Sequence, residues 1–351
     1  VTFAMGVVVA ALAALASPAI VGAFGAAPEV AAEATTYLQI RFLALPAMLV
    51  AMVGHGVFRG HSDTRTPLWV AGGMNAVNLV LDPILIFGFD LGVAGAAWAT
   101  VVAQVVAAVW FLILMYGTQR AKLGITRKIG NLGSLGIKKI LGAGWPMMIR
   151  SAALLVAITA ATVAASRIST VDVAAHQIAM QVWLFLSFVL DSYAIAASAM
   201  IGTDIGAGAR TDARSVSNRL LALGFMTGIG LSVLVFVTAP WVGSLFAAEP
   251  EVVDALRSIY PFVIVLQPLT ALVYVWDGVG IGASAFGFLA ASMVVAGVLT
   301  LVTLFAFGDT LVGVWVGVTV LTATRLLALA GWHRFGPLAP GRGPSRASQA
   351  A

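Results

Sequence analysis

The sequence predicts an all-α integral membrane protein folded as a two-lobe helical bundle, and three observations predict it. The 351 residues are 61% hydrophobic and only 9% charged, where soluble domains carry about 25% charged residues. The apolar segments run for about 20 residues or more, the length that crosses a bilayer as a helix. The chain also repeats itself. Shifted by 222 positions, Pro18 falls on Pro240, Phe24 on Phe246, Pro28-Glu29-Val30 on Pro250-Glu251-Val252, Pro46 on Pro268, Gly56-Val57 on Gly278-Val279 and Gly60 on Gly282. Apolar bias alone does not bring prolines and glycines into register. A long-period repeat in an apolar chain points to two related halves, the construction of many transporters.

The same observations exclude other classes. Continuous apolar runs, rather than alternating ones, rule out a β-barrel. The chain has no cysteine, so it has neither disulfides nor thiolate metal sites.

Ten spans are expected, each closed by polar punctuation. The first, 1–24, ends at Gly25–Pro28; it lacks the basic leader of a signal peptide, and its repeat partner marks it as a span. Residues 35–57 close at Arg59–Thr66 and 67–88 at Phe89–Leu91. Residues 93–116 run into a polar stretch. Residues 137–165 end at Arg167–Thr170, 172–201 at Gly206–Asp212 and 213–246 at Ala247–Pro250. Residues 252–280 end at Gly282–Ser284, 286–308 at Gly308–Asp309, and 311–333 precede the tail. The organisation expected is a four-helix N-lobe at 1–116, a basic linker at 117–136, a six-helix C-lobe at 137–335 and a disordered tail at 336–351. The repeat sets Val1 opposite Leu223, inside a helix of the second half, and leaves residues near 138–208 without a first-half partner. The expectation is therefore ten helices of an original twelve, with the first two of the N-lobe missing.

Charge sets the orientation. Gly117–Ile140 holds Arg120, Lys122, Arg127, Lys128, Lys138 and Lys139 and no acid, and positive loops stay cytoplasmic. Alternation then puts Arg59, Arg65, Arg210, Arg214, Arg219, Arg325, Arg334, Arg342 and Arg346 inside. Only Arg167 and Arg257 fall outside, while Glu29, Glu33, Asp90, Asp172, Glu249, Glu251, Asp254 and Asp309 all do. The C-terminus is expected in the cytoplasm. The net charge of +5 follows from this bias, and nucleic acid is not an expected partner, since no polar module exists to carry it.

Three carboxylates remain within spans: Asp82, Asp191 and Asp277. A charge near the bilayer centre costs about 2.5 kcal/mol or more, so such acids tend to line cavities or relay protons. Asn78 and Asp82, four apart, share a helix face with Asn75 close to it. Pro83 beside them frees a backbone carbonyl. That stripe suits a monovalent cation or a held proton, with Thr100 and Gln104 as polar partners on the next helix. The competing reading is an interhelical hydrogen-bond cluster that glues the bundle. Asp277, beside Tyr274 and Trp276, suits an organic cation through ion pairing and cation–π contact, or a carried proton, or else a neutral carboxyl held in the packing. Asp191 is expected to pair with Arg150. His176 and Gln177 are expected near the external end of their helix, as cavity residues or interfacial hydrogen-bonders. His55 lacks a second ligand at metal spacing, and Arg41 snorkels or pairs with an acid. Phosphate-binding loops and catalytic constellations are absent. An enzyme is therefore not expected, and energy must come from an ion gradient.

At these residues the chain resembles the multidrug and toxic compound extrusion family and, within it, the DinF-like branch. The matching stretches are Gly60-His61-Ser62-Asp63-Thr64-Arg65-Thr66-Pro67-Leu68, then Asn75, Asn78 and Asp82, then Gly92 to Thr100. They continue with Ala174-Ala175-His176-Gln177-Ile178, Leu190-Asp191-Ser192-Tyr193-Ala194, Gly202 to Gly208, and Asp277-Gly278 with Gly282-Ala283-Ser284. Ala285 departs from the pattern, where a polar residue is expected. The resemblance implies a V-shaped antiporter of twelve helices in two lobes, with rocker-like alternating access. It implies that Asn78, Asp82 and Thr100 join an aspartate of the first helix, absent here, as the H+ or Na+ site, and that Asp277 is a second acid. Asn75, Gln104, His176, Gln177, Asp191, Tyr274 and Trp276 are the expected substrate-cavity residues.

The function expected is export of organic, often cationic, compounds in exchange for H+ or Na+, by a monomer in the plasma membrane of a bacterium. No cofactor is expected beyond the coupling ion. The alternatives are a lipid-linked oligosaccharide flippase, which would need a cavity lined by several Arg or Lys, a membrane enzyme acting on lipid, and a scaffold without transport.

Overall fold

The computed structural model describes residues 2–23, 28–61, 63–121, 123, 134–246 and 249–336. The chain divides into unit 1, Val1–Asn131, and unit 2, Leu132–Ala351. The division falls in the expected linker. Residues 122 and 124–133 of that linker, and the tail from 337, lie outside the described residues.

Unit 1 contains α1 (Thr2–Ala23), α2 (Pro28–Phe42), α3 (Leu45–Gly60), α4 (Arg65–Pro83) and α5 (Gly92–Ile113), with π-helical turns at Ile84–Gly88 and Leu114–Thr118. Its core is built on Phe58, Val70, Ala107, Phe111 and Met115. Helix α5 buries Gly95, Ala97, Ala99, Ala103, Ala107 and Ala108, the small residues that let membrane helices approach closely. Asp63 closes the start of α4, accepting from the backbone N–H groups of Arg65 (3.1 Å) and Thr66 (3.0 Å) and from the Thr66 hydroxyl (2.9 Å).

Unit 2 contains α6 (Ser134–Ile168), α7 (Thr170–Gly206), α8 (Arg210–Phe246), α9 (Pro250–Gly282), α10 (Phe286–Phe307) and α11 (Leu311–Phe335). Helix α9 is its centre, lying against α7, α8 and α11. The largest core cluster joins Ala175 and Leu186 of α7, Ile259 and Val263 of α9, and Trp315 of α11.

The all-helical membrane fold is as the sequence predicts. Among the described residues, nine helices are long and apolar enough to cross a membrane, and the bent pair α2–α3 makes a tenth. That pair corrects the expected span 35–57: the helix starts at Pro28 and bends by 48° between Phe42 and Leu45. The cause is Pro46, which has no N–H to give the carbonyl of Phe42 and whose ring crowds it. The chain turns there instead, with Leu43 N–H donating to Ile40 O and Ala44 N–H to Arg41 O, both at 3.1 Å.

In α9 the corresponding proline, Pro268, frees the carbonyl of Ile264, yet the helix runs unbroken for 33 residues. Ser232 of α8 donates its hydroxyl to Ile264 O at 2.6 Å. The residue 222 positions before Ser232 is Ala10, which has no hydroxyl to give.

Candidate functional site

In unit 1 the amide of Asn78 donates to Asp82 Oδ1 at 3.3 Å, both side chains half-buried on α4. The α-helix ends immediately afterwards at Pro83 and continues as the π turn, in which Phe89 N–H reaches Ile84 O at 3.0 Å. A π turn widens the carbonyl ladder by one residue and is frequent at functional sites. The carboxylate therefore sits next to a stretch of backbone with altered hydrogen bonding.

The other expected partners are placed differently. Asn75 is exposed. Thr100 turns its hydroxyl back on α5, donating to Ala96 O at 2.9 Å. Gln104 Oε1 accepts from Arg41 at 3.5 Å, so these two polar residues of α2 and α5 meet each other.

In unit 2 the dominant feature is Asp277. It is buried on α9, and its Oδ2 accepts from Arg150 of α6 at 2.7 Å and from Arg325 of α11. The side chains of Arg150, Arg325 and Asp277 are 18%, 12% and 8% exposed. Glycines fix the rotation of α9 at this level. A Cβ on Gly278 would collide with the backbone of Ala194 on α7, and one on Gly282 would lie 2.7 Å from Ser198 O. Helices α9 and α7 thus touch backbone to backbone, and Asp277 is directed away from that contact toward the arginines.

One expectation is corrected here. Arg150 is bound to Asp277, where Asp191 was expected; Asp191 lies exposed on α7. Arg325 lies within the apolar helix α11, ten residues before its end, and is ion-paired there. Its signal in the sequence is a lone arginine within Leu321–Leu329, which loop charge counting passes over.

Beside Asp277, Trp276 is half-buried and tilted against His333 at 6.1 Å between ring centres. His333 contacts Asn218 Oδ1 at 3.1 Å, and Arg214 donates to the His333 carbonyl at 3.2 Å. Tyr274 is half-buried, while Gln177 is exposed. His176, expected near the membrane surface or a cavity, is fully enclosed. It contacts Thr162 Oγ1 at 3.3 Å and stands edge-on to Trp315 at 5.9 Å. His55 likewise stands edge-on to Phe111 at 4.9 Å. Among the described residues no cluster of His, Asp and Glu could hold a metal ion.

Comparison with known proteins accounts for most of the chain. The MatE family profile matches residues 1–84 and 146–323. Protein DETOXIFICATION 44, chloroplastic, of Arabidopsis thaliana is 36% identical over 87% of this chain, and DNA damage-inducible protein F of Escherichia coli is 27% identical over 88% of it. The chain spans 58% of the length of the Arabidopsis protein and 68% of the E. coli protein. A crystal structure of a MATE P26A mutant superposes with a TM-score of 0.84 at 21% identity, over 95% of this chain and 76% of that one. That likeness is one of fold.

Proposed function

We propose, because this chain belongs to the MatE family of multi-pass membrane transporters, that it is a secondary exporter of small organic compounds, driven by exchange for H+ or Na+. The observation that carries the reading is the Asn78–Asp82 pair, held on one face of α4 directly before a π turn. A half-buried carboxylate there can take up a proton or hold a monovalent cation, and discharge it when its surroundings change. In this reading Asp82 is the coupling residue and Asn78 orients it. Thr100, Asp277, Asn75, Gln104, Gln177, Asp191, Tyr274 and Trp276 serve as ion-site or cavity residues. Placement in the DinF-like branch, in a bacterial plasma membrane and as a monomer belongs to the same proposal.

A lipid-linked oligosaccharide flippase is a second reading that gains one observation, since Arg325 joins Arg41 and Arg150 among the arginines within spans. Asp277 neutralises one of the two charges on Arg150 and Arg325, which leaves a single positive charge against a pyrophosphate and favours the exporter.

The test is efflux of a fluorescent organic cation from vesicles holding the full-length protein, under an imposed proton or sodium gradient. Gradient-driven efflux that disappears in Asp82→Asn is expected and identifies the driving ion. Efflux unchanged by the substitution overturns Asp82 as the coupling residue. No efflux under either gradient overturns ion-coupled export of such compounds.

A further inference from the structure

Arg150, Arg325 and Asp277 together carry a charge of +1 inside apolar helices. One carboxylate neutralises one guanidinium, and the second charge has no counterpart within the triad. Buried charge is tolerated when it is paired and its hydrogen bonds are met.

Two hydrogen-bond donors are also left over, one on the triad and one on the residue next to Asp277. Arg150 Nε and Trp276 Nε1 are buried without an acceptor. What is missing is therefore one negative charge together with acceptor oxygens. An apolar cluster adjoins all three helices of the triad. Met147, Val273 and Leu329 stand one turn from Arg150, Asp277 and Arg325 respectively, and pack together with Trp276 and Leu326.

We propose that Arg150 and Arg325 form a binding site for a monoanionic organic carboxylate, with Asp277 bridging the two guanidinium groups through its Oδ2 and Trp276 beside the ligand's apolar body. Guanidinium presents a planar fork of donors that matches a carboxylate. A single negative charge brings the four groups to neutrality, whereas a dianion would leave an excess of the opposite sign. The aromatic and aliphatic surroundings fit a ligand with an apolar portion. The site lies wholly within unit 2; it shares Asp277 and Trp276 with the export reading but does not involve Asp82, the residue on which that reading is tested. Its failure would leave the export reading standing, and the reverse also holds.

The experiment is equilibrium binding of benzoate to the full-length protein in lipid nanodiscs, followed by tryptophan fluorescence, with succinate, pyrophosphate and chloride as comparison anions. Benzoate is expected to bind saturably and more tightly than the other three. Arg325→Gln removes the surplus charge and should weaken binding by about tenfold or more. Asp277→Asn raises the triad from +1 to +2 and should tighten binding by a similar factor. A purely structural ion triad predicts no benzoate binding to either protein. If Asp277→Asn does not fold, Arg150→Gln and Arg325→Gln decide the matter. Absence of saturable binding, equal binding in wild type and both arginine variants, or preference for succinate or pyrophosphate overturns the proposal.

Discussion

Gly228 meets Pro268 so closely that a Cβ on the glycine would lie 2.6 Å from Pro268 Cα, and 222 residues earlier Gly6 meets Pro46 at the same 2.6 Å. The obstacle in each case is backbone, which cannot swing aside as a side chain can. Gly228→Ala is therefore expected to push α8 from α9 and to destabilise unit 2 by about 1–3 kcal/mol, the range for overpacking. Gly22, with nothing within 4 Å of its Cβ position, is the control. Gly22→Ala should be neutral or stabilising, since alanine is the better helix former. Thermal unfolding of both variants in nanodiscs checks the contrast.

Ser232→Ala is expected to release the carbonyl of Ile264. Interhelical side-chain hydrogen bonds in membranes contribute about 0.6 kcal/mol on average and up to about 1.7, so the stability loss should be modest. The local effect should be larger, with faster amide exchange across the turn before Pro268. Unchanged exchange there would show that packing alone keeps α9 straight.

The triad gives an ordering of stabilities. Asp277→Ala leaves two guanidinium groups facing each other, and unpairing a buried charge costs about 3–5 kcal/mol. Arg325→Leu leaves the neutral pair of Arg150 and Asp277 and should cost less. Denaturation midpoints that reverse this order would contradict the pairing.

His176 is enclosed with its Nδ1 atom unpartnered. His176→Ala should cost about 2–5 kcal/mol, as other large-to-small core changes do. His176→Leu combined with Thr162→Val removes both polar partners together and should be nearly neutral. Loss of transport in that folded double variant would show that His176 does more than pack.

The spans were legible because a bilayer demands long apolar helices, and the prolines and glycines then marked their ends. Pro28 and Pro250 each open a helix, and Gly60 and Gly282 each close one. The Asn78–Asp82 bond was legible for the same local reason, a spacing of four on one helix. The arginines on Asp277 were not. They come from positions 127 residues before it and 48 after it, and no periodicity reports which helix faces turn toward each other. The break at Leu43 was missed because Pro46 and Pro268 look alike in sequence. The serine of α8 and the alanine of α1, each on a neighbouring helix, are where the straight and the bent helix differ in what meets the freed carbonyl.

That difference gives the two units unlike mechanics. The unbroken α9 is a strut about 50 Å long, at 1.5 Å per residue, and a displacement at one end arrives at the other with little lost. The α2–α3 joint is a compliant elbow. A displacement of α2 becomes a change of angle at Leu43–Ala44, absorbed by two residues before it reaches α3.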